Sequence, residues 1–148
     1  MSEETVSMRL TQRSDYQFDN HFGAGIADLR ADEPPPLGTG AGPSPLQLLC
    51  AAVGNCLAAS LLFSLRKYKQ APEPIRTTAE AAVGRNAENR LRVQRIAVRI
   101  TLGVPGPTLK YLDRALAQFE AFCTVAESVR QGIPIDVEVW DSEGTRLK

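Results

Sequence analysis

The sequence contains a single histidine, His21, among its 148 residues. A Cys-His or Ser-His catalytic pair would have to use His21, and a zinc site would have to combine it with scattered thiols. His21 lies in the turn-rich stretch DNHFGAG, where we expect a solvated loop residue. The three cysteines form no CxxC motif and no Cys/His cluster with metal-ligand spacing. We therefore expect neither a metal site nor a disulfide framework.

The chain also lacks an excess of charge. It has 17 basic and 17 acidic residues, and no basic run is interleaved with aromatic residues, so nucleic-acid binding is not expected. The polar start MSEETVSMRL is unlike a secretory signal, and we expect a cytoplasmic protein. A chain of this length with 43% hydrophobic residues can build one ordinary core. We predict a single domain over residues 1–148.

The most distinctive stretch is GPSPLQLLCAAVGNCLAASLLFSLRKYK, residues 42–69. Ser44 followed by Pro45 is typical of a helix start, because Ser caps the first turn and Pro suits the first helical position. No charged residue follows until Arg66. The pattern predicts a helix from Pro45 to Lys69 that is buried almost all round.

Such a helix approaches the length of a membrane span, but three polar residues interrupt it and no aromatic anchors precede it. We expect no membrane association. The helix is better explained as a core element that is covered by a sheet and neighbouring helices, or by a second subunit. The interrupting residues are Asn55, Ser60 and Ser64.

A loop rich in proline and glycine precedes this helix, with the sequence DEPPPLGTGAGP from Asp32 to Pro43. It can form neither a helix nor a central strand. Its glycines are not followed by GK[ST], so a phosphate-binding loop is not indicated. Two interpretations stay open, a stiff connector into the helix and a lid over the thiol of the helix.

The remaining elements alternate between strands and shorter helices, which predicts an α+β fold. A change of parity at Gln94 and Arg95 calls for a bulge in its strand. Thr124 and Glu127 match a capping box at the start of a short helix that ends at Gly132. The first three strands suggest an antiparallel meander. The predicted strands are Thr5–Gln12, Tyr16–Phe18, Gly25–Ala31, Ile75–Val83, Leu91–Val104 and Ile133–Val139, with a further amphipathic helix over Thr108–Phe122.

The candidate chemistry rests on the thiols. Cys123 directly precedes the short helix, where the positive end of the helix dipole would stabilise a thiolate. Cys56 lies in the middle of the long helix, where burial would raise its pKa unless a cation or a hydrogen-bond donor reaches it. Cys50 points about 120° away from Cys56 around the helix and is the least expected to react. Alternatively, each cysteine is a small packing residue.

Three stretches resemble the OsmC/Ohr family. In GPSPLQLLCAAVGNCLAASL, Pro45 and Cys56 have the separation of the family's central helix motif, and AFCTVAESVRQGIPIDVEV resembles its second cysteine segment. DEPPPLGTGAGPSP resembles the loop ahead of the helix in OsmC-like branches. The resemblance extends from about Val6 to Val139 and includes the order of elements.

The resemblance implies an OsmC-like fold, with antiparallel sheets packed around a long buried central helix. It further implies an intertwined homodimer with active sites at the subunit interface. Active family members reduce organic hydroperoxides without a metal or an organic cofactor. Carried over, Cys56 would be the peroxidatic thiolate and Cys123 the resolving thiol, and a dithiol reductant would reopen their disulfide.

The family's activating arginine comes from the region before the helix, where Arg13 and Arg30 are the candidates by location. The residue after the motif's proline is typically a glutamate, and here it is Leu46. This difference favours a second hypothesis, a non-catalytic dimer of the same fold that binds a small hydrophobic ligand in the interface cleft. Other thiol chemistry, or a structural role for the cysteines, also stays open.

Overall fold

The computed structural model describes residues 2–148 and divides the chain into two compact units, Met1–Leu49 and Cys50–Lys148. The predicted α+β class is confirmed, since two three-stranded sheets occur with three helices. Short 3-10 turns cover Gly106–Thr108 and Phe119–Phe122. The strands are β1 (Arg9–Ser14), β2 (Gln17–His21), β3 (Leu29–Ala31), β4 (Arg76–Arg85), β5 (Leu91–Thr101) and β6 (Ile135–Trp140), and the helices are α1 (Pro45–Lys67), α2 (Leu112–Gln118) and α3 (Thr124–Arg130).

The first unit contains the predicted antiparallel meander in the order β1-β2-β3. Every residue of β1 is exposed in the isolated chain, although apolar and polar residues alternate along the predicted strand Thr5–Gln12. Val6, before the strand begins, is 94% exposed. The alternation of apolar and polar residues therefore correctly indicates a strand. It does not correspond to a strand face that is buried within this chain.

His21 is part of a strand and not of a loop. It ends β2, and its Nδ1 lies 2.8 Å from Oδ1 of Asp28. The turn between β1 and β2 is made by Asp15, whose φ of 49° permits a tight reversal, and Tyr16. β1 continues through Arg13 and Ser14, two residues beyond the predicted strand end at Gln12.

The loop from Asp32 to Pro43 is organised by one buried carboxylate. Asp32 is only 2% exposed and accepts hydrogen bonds from the main-chain N–H groups of Glu33, Thr39 and Ala41, at 2.8, 3.1 and 3.0 Å. The Thr39 hydroxyl donates a fourth, at 2.7 Å. A side chain at Gly38 would overlap the Glu33 carbonyl, so the loop is tightly folded there. These contacts favour the connector interpretation of the loop.

Helix α1 begins as predicted, because Ser44 and Gln47 form a reciprocal cap. The Gln47 N–H donates to Ser44 Oγ at 3.2 Å, and the Ser44 N–H donates to Gln47 Oε1 at 3.0 Å. The helix ends at Lys67, two residues before the predicted end. A positive φ at Lys69 follows, together with a hydrogen bond from the Gln70 N–H to the Leu65 carbonyl.

Within the single chain, α1 is not buried almost all round. One face is fully buried, whereas Leu46 and Phe63 are 42% and 69% exposed. The helix is long and apolar enough to cross a membrane, with a third of its most apolar window buried inside the chain. The same length and composition are found in core helices of soluble proteins. The fully buried stripe repeats every four residues, at Val53, Leu57, Leu61 and Leu65.

The second sheet has the order β4-β5-β6. The predicted bulge is confirmed, since Ala82 pairs with Arg95 and Val83 pairs with Val93, which leaves Gln94 as the extra residue on β5. β6 lies at an edge of this sheet and runs parallel to β5, so the sheet is not purely antiparallel as the family resemblance implied. The buried side chains of β5 are Ile96, Val98 and Ile100.

The predicted helix over Thr108–Phe122 is broken into three short pieces. Tyr111 has a left-handed backbone, with a φ of 59°, and α2 starts only after it. The helix then tightens into the 3-10 turn Phe119–Phe122, which leads directly to Cys123. The apolar spacing was read correctly as helical, but it gave no sign of the left-handed residue.

We predict that the Asp32 carboxylate makes the first unit acid-sensitive. The N–H of Ala41 and the hydroxyl of Thr39 are the main groups that lower the pKa of Asp32 from 3.8 to about 2. Because the folded-state pKa is the lower one, the stabilisation is complete above about pH 4 and is lost as the pH falls towards 2. Asp32→Asn should lower the melting temperature by several degrees at neutral pH, and the difference from wild type should shrink in this acidic range.

Thermal denaturation at a series of pH values measures this effect. Asp15→Asn is the matched control, because Asp15 is exposed and its left-handed backbone also suits Asn. Equal destabilisation by both substitutions at neutral pH would contradict the role given to Asp32.

Candidate functional site

Cys56 lies in the middle of α1 and is partly exposed. The preceding residue, Asn55, donates a hydrogen bond from Nδ2 to the Ala51 carbonyl at 2.7 Å, so its amide is used within the helix. Cys50 is also partly buried, and burial raises the pKa of its thiol. Cys50 is therefore a poor candidate for a reactive thiolate at neutral pH.

Cys123 is almost completely buried, with 1% of its surface exposed. It follows the 3-10 turn Phe119–Phe122 and occupies the N-cap position of α3. The predicted capping box is wrong, because Thr124 is already the first helical residue and no side chain caps the helix. Glu127 does not reach back either, since its carboxylate pairs with Arg130 in the same helix.

The structure brings Cys56 and Cys123 together. Burial, followed by the interaction with Cys56, raises the pKa of Cys123 to about 11. The Ala126 N–H at the start of α3 lowers the pKa of Cys123, but its effect is smaller. The helix end therefore acts in the expected direction, but its effect does not outweigh burial. Cys123 is a protonated thiol at neutral pH.

The turn that carries Cys123 is fixed by polar contacts on two sides. On one side, Ser60 Oγ donates to the Phe119 carbonyl at 2.6 Å. On the other side, the Glu120 carboxylate accepts hydrogen bonds from Arg130, at 2.8 Å, and from Lys148. Burial alone would raise the pKa of Glu120, but these two cations outweigh it and the pKa is lowered.

The sequence analysis did not identify Ser60 as a site residue. It noted Ser60 only as a polar interruption of an apolar helix. The available signal was its position four residues after Cys56, which places both side chains on the same side of α1. Its long-range partner, the carbonyl of Phe119, could not be identified from sequence.

Arg13 and Arg30 both bind one carboxylate in the first unit. Arg30 Nε lies 3.2 Å from Asp19 Oδ1, and Arg13 Nη1 lies 3.4 Å from Asp19 Oδ2. The Arg30 hydrogen bond is the main cause of the lowered pKa of Asp19, and Arg13 adds to it. Both guanidinium groups are thus already paired, and their assignment to the thiols stays a prediction.

A small apolar groove lies beside the turn in the second unit. Phe63 of α1 and Phe122, the residue before Cys123, line it, and each is 69% exposed. Tyr68 also lines the groove. Among residues 2–148, no group of three or more His, Cys, Asp or Glu side chains could hold a metal ion.

The chain is similar to known proteins in sequence and in fold. The family model of OsmC-like protein matches residues 38–138, which include all three cysteines. An OsmC-like protein of unknown function from Vibrio cholerae has a similar structure, with 22% identity, a TM-score of 0.76 and coverage of 94% of this chain and 99% of that one. No curated protein matches the sequence.

Two further similar structures carry names that refer to hydroperoxides. The organic hydroperoxide resistance protein OsmC from Legionella pneumophila is 16% identical, with a TM-score of 0.67 and coverage of 95% of this chain and 99% of that one. The organic hydroperoxide resistance protein OhrB of Bacillus subtilis is 12% identical, with a TM-score of 0.68 and coverage of 90% and 97%. At these identities the likeness shows the shared fold.

We predict that Cys123 reacts slowly with alkylating reagents until the pH is strongly alkaline, because its pKa is about 11. In Cys56→Ala the pKa of Cys123 should fall, since the interaction with the Cys56 thiol is lost, but it should stay above the ordinary 9.0 because burial remains. Rates of iodoacetamide labelling over a pH series, with the modified cysteine located by mass spectrometry, measure this shift.

Cys50→Ala is the control, and it should leave the titration of Cys123 unchanged. A pKa of Cys123 near the ordinary thiol value of 9.0 in the wild-type protein would contradict this prediction.

Proposed function

Because the chain belongs to the OsmC-like protein family, we propose that it is a thiol-dependent reductase of organic hydroperoxides. Cys56 is the peroxidatic residue and Cys123 the resolving residue. The observation that carries this proposal is that Cys56 lies near enough to Cys123 to raise the pKa of its thiol, although the two residues are 67 positions apart in sequence. The hydroperoxide names of structural neighbours support the substrate class.

In the first step the Cys56 thiolate attacks the outer oxygen of the hydroperoxide. The S–O bond forms as the O–O bond breaks, the alcohol leaves after taking up a proton, and Cys56 becomes a sulfenic acid. The sulfur is oxidised and the peroxide is reduced. Cys123 suits the resolving role, because a buried protonated thiol does not compete for the peroxide.

In the second step Cys123 attacks the sulfur of the Cys56 sulfenic acid. The S–S bond forms, the S–O bond breaks, and the departing hydroxide combines with the proton of Cys123 as water. Oxidation of Cys56 removes the negative charge that helps to raise the pKa of Cys123, so the resolving thiol ionises more easily at this stage. A dithiol reductant then reopens the disulfide by two exchange reactions.

A positive charge near Cys56 would favour its thiolate, and we assign this role to Arg30 or Arg13. Both guanidinium groups pair with Asp19, so the arginine that acts must present its remaining N–H groups to the thiolate. Arg30→Met or Arg13→Met, whichever removes the activating charge, should slow the oxidation of Cys56. Equal rates in both variants and the wild type would exclude both arginines.

A second candidate function is the binding of a small hydrophobic ligand without catalysis. The apolar groove with its two exposed phenylalanines favours it, as does Leu46 in the position where the family typically has a glutamate. This function requires an inert Cys56. It also requires that the apolar cleft takes up a fluorescent hydrophobic probe.

We predict that about one equivalent of an organic hydroperoxide removes two hydrogens from the reduced wild-type protein, a loss of about two mass units. In Cys123→Ser the reaction should stop at a sulfenic acid on Cys56, a gain of about 16 mass units, because no resolving thiol is present. Cys56→Ser should stay unmodified. Intact-mass analysis after brief exposure, with peptide mapping, makes the measurement.

Cys50→Ser is the matched control, since it removes a thiol of the same helix and should react as the wild type does. If the wild type and all the variants stay unmodified while a control thiol peroxidase is oxidised, the reductase proposal fails and the ligand-binding function takes its place.

We also predict a homodimer, because α1 leaves apolar surface at Leu46 and Phe63 that a second copy would cover. Light scattering of the pure protein should give twice the mass of the chain, which is 16.1 kDa. Phe63→Glu should shift the protein towards the monomer, while Glu80→Lys on the exposed surface of β4 should not. A monomeric wild-type protein at micromolar concentration would contradict the proposal.

A further inference from the structure

The two thiols belong to different parts of the second unit. Cys56 is part of α1, and Cys123 belongs to the segment of residues 112–130, which we call the α2–α3 segment. A disulfide forms only when the Cα atoms of its cysteines lie within about 4.4–6.8 Å of each other and the side chains point together. Whatever holds the α2–α3 segment against α1 therefore controls how readily the two sulfurs meet.

Ser60 makes a direct polar contact between these two parts. Its hydroxyl donates to the Phe119 carbonyl at 2.6 Å, across 59 residues of sequence. Within residues 2–148 this is the only hydrogen bond from an α1 side chain to the main chain of the α2–α3 segment. The oxygen it binds belongs to the first residue of the 3-10 turn that ends next to Cys123.

The hydrogen bond between Ser60 and Phe119 is linked to each thiol by a short, rigid stretch of main chain. On α1, Ser60 follows Cys56 by one helical turn, so both side chains lie on one side of a rigid helix. On the α2–α3 segment, the Cys123 N–H donates to the Glu120 carbonyl at 3.0 Å, which closes the turn behind Phe119. A fixed point at Phe119 therefore determines where the main chain of Cys123 lies relative to Cys56.

We propose that Ser60 is a positioning residue that holds Cys123 in place for disulfide formation with Cys56. The inference rests on the proposed function for its role in peroxide reduction, although the geometry applies to any oxidation of this thiol pair. Ser60 acts on the resolving step, in which the S–S bond forms and water leaves. It takes no part in the first attack on the peroxide, because that step needs Cys56 alone.

The first experiment measures positioning without a peroxide. Wild type, Ser60→Ala and Ser60→Thr, all carrying Cys50→Ser, are equilibrated with mixtures of reduced and oxidised glutathione. The fraction of the protein that contains a Cys56–Cys123 disulfide, at known concentrations of the two glutathione forms, gives the effective concentration of the Cys56 and Cys123 thiols relative to each other. Loss of one hydrogen bond should reduce this concentration about tenfold in Ser60→Ala. Ser60→Thr, which keeps the hydroxyl, should restore most of it.

Ser64→Ala is the matched control for this equilibrium. Ser64 is a buried serine one turn further along α1, and within residues 2–148 its side chain makes no hydrogen bond to the α2–α3 segment. It should behave as the wild type does. An unchanged effective concentration in Ser60→Ala, an equal loss in Ser64→Ala, or the failure of the wild type to form this disulfide would each overturn the positioning role.

The second experiment separates the two chemical steps. After mixing with an organic hydroperoxide, the sulfenic acid on Cys56 is trapped with dimedone at increasing times. Ser60→Ala should form the sulfenic acid at the wild-type rate but keep it about tenfold longer, because only the resolving step is affected. A general loosening of the fold would alter the first rate as well, which contradicts a specific role for Ser60.

The two experiments also distinguish this inference from the proposed function. If the hydroperoxide leaves Cys56 of the wild type unmodified but Ser60→Ala still weakens the glutathione-formed disulfide, the reductase proposal fails and the positioning role stands. If the hydroperoxide oxidises the pair normally in both proteins and the glutathione equilibrium is unchanged, the positioning role fails and the reductase proposal stands.

Discussion

The burial of one face of α1 is the constraint on which the second unit depends. Four aliphatic side chains of this face are completely excluded from solvent, and burial of each contributes about 1.5–3 kcal/mol. Gly54, on the same helix, lies close to β4, where an added Cβ would stand 3.6 Å from Ala79. The helix thus packs on the second sheet, and this packing determines the position of Cys56. The four buried side chains are Val53, Leu57, Leu61 and Leu65.

The features that could be predicted from the sequence are those set by neighbouring residues. The start of α1 was predictable because Ser44, Pro45 and Gln47 act within one turn of the helix. The bulge at Gln94 was predictable because a change of parity must appear wherever one face of a strand stays buried. Both signals are local, and both report on structure within a few residues.

The features that were missed depend on distant partners. Local propensity did not predict the left-handed backbone of Tyr111, which interrupts the predicted helix Thr108–Phe122. It also did not predict that β6 pairs with β5 in a parallel arrangement. The capping box at Thr124 failed because the Glu127 carboxylate pairs with Arg130 instead. For the site, the resemblance named both cysteines, but the partner of Ser60 lies 59 residues away and no pattern in the sequence indicates it.

The pKa of Cys123 shows how burial and helix geometry compete at this site. A helix end favours a thiolate through its N–H groups, and here the Ala126 N–H acts in that direction. α3 has only seven residues, however, and Cys123 is 1% exposed, so the cost of burying a charge is the larger effect. The result is a neutral thiol that is held against its partner and protected from solvent. The resolving role that we propose for Cys123 needs these properties, because a resolving thiol must wait for the sulfenic acid and must not react first.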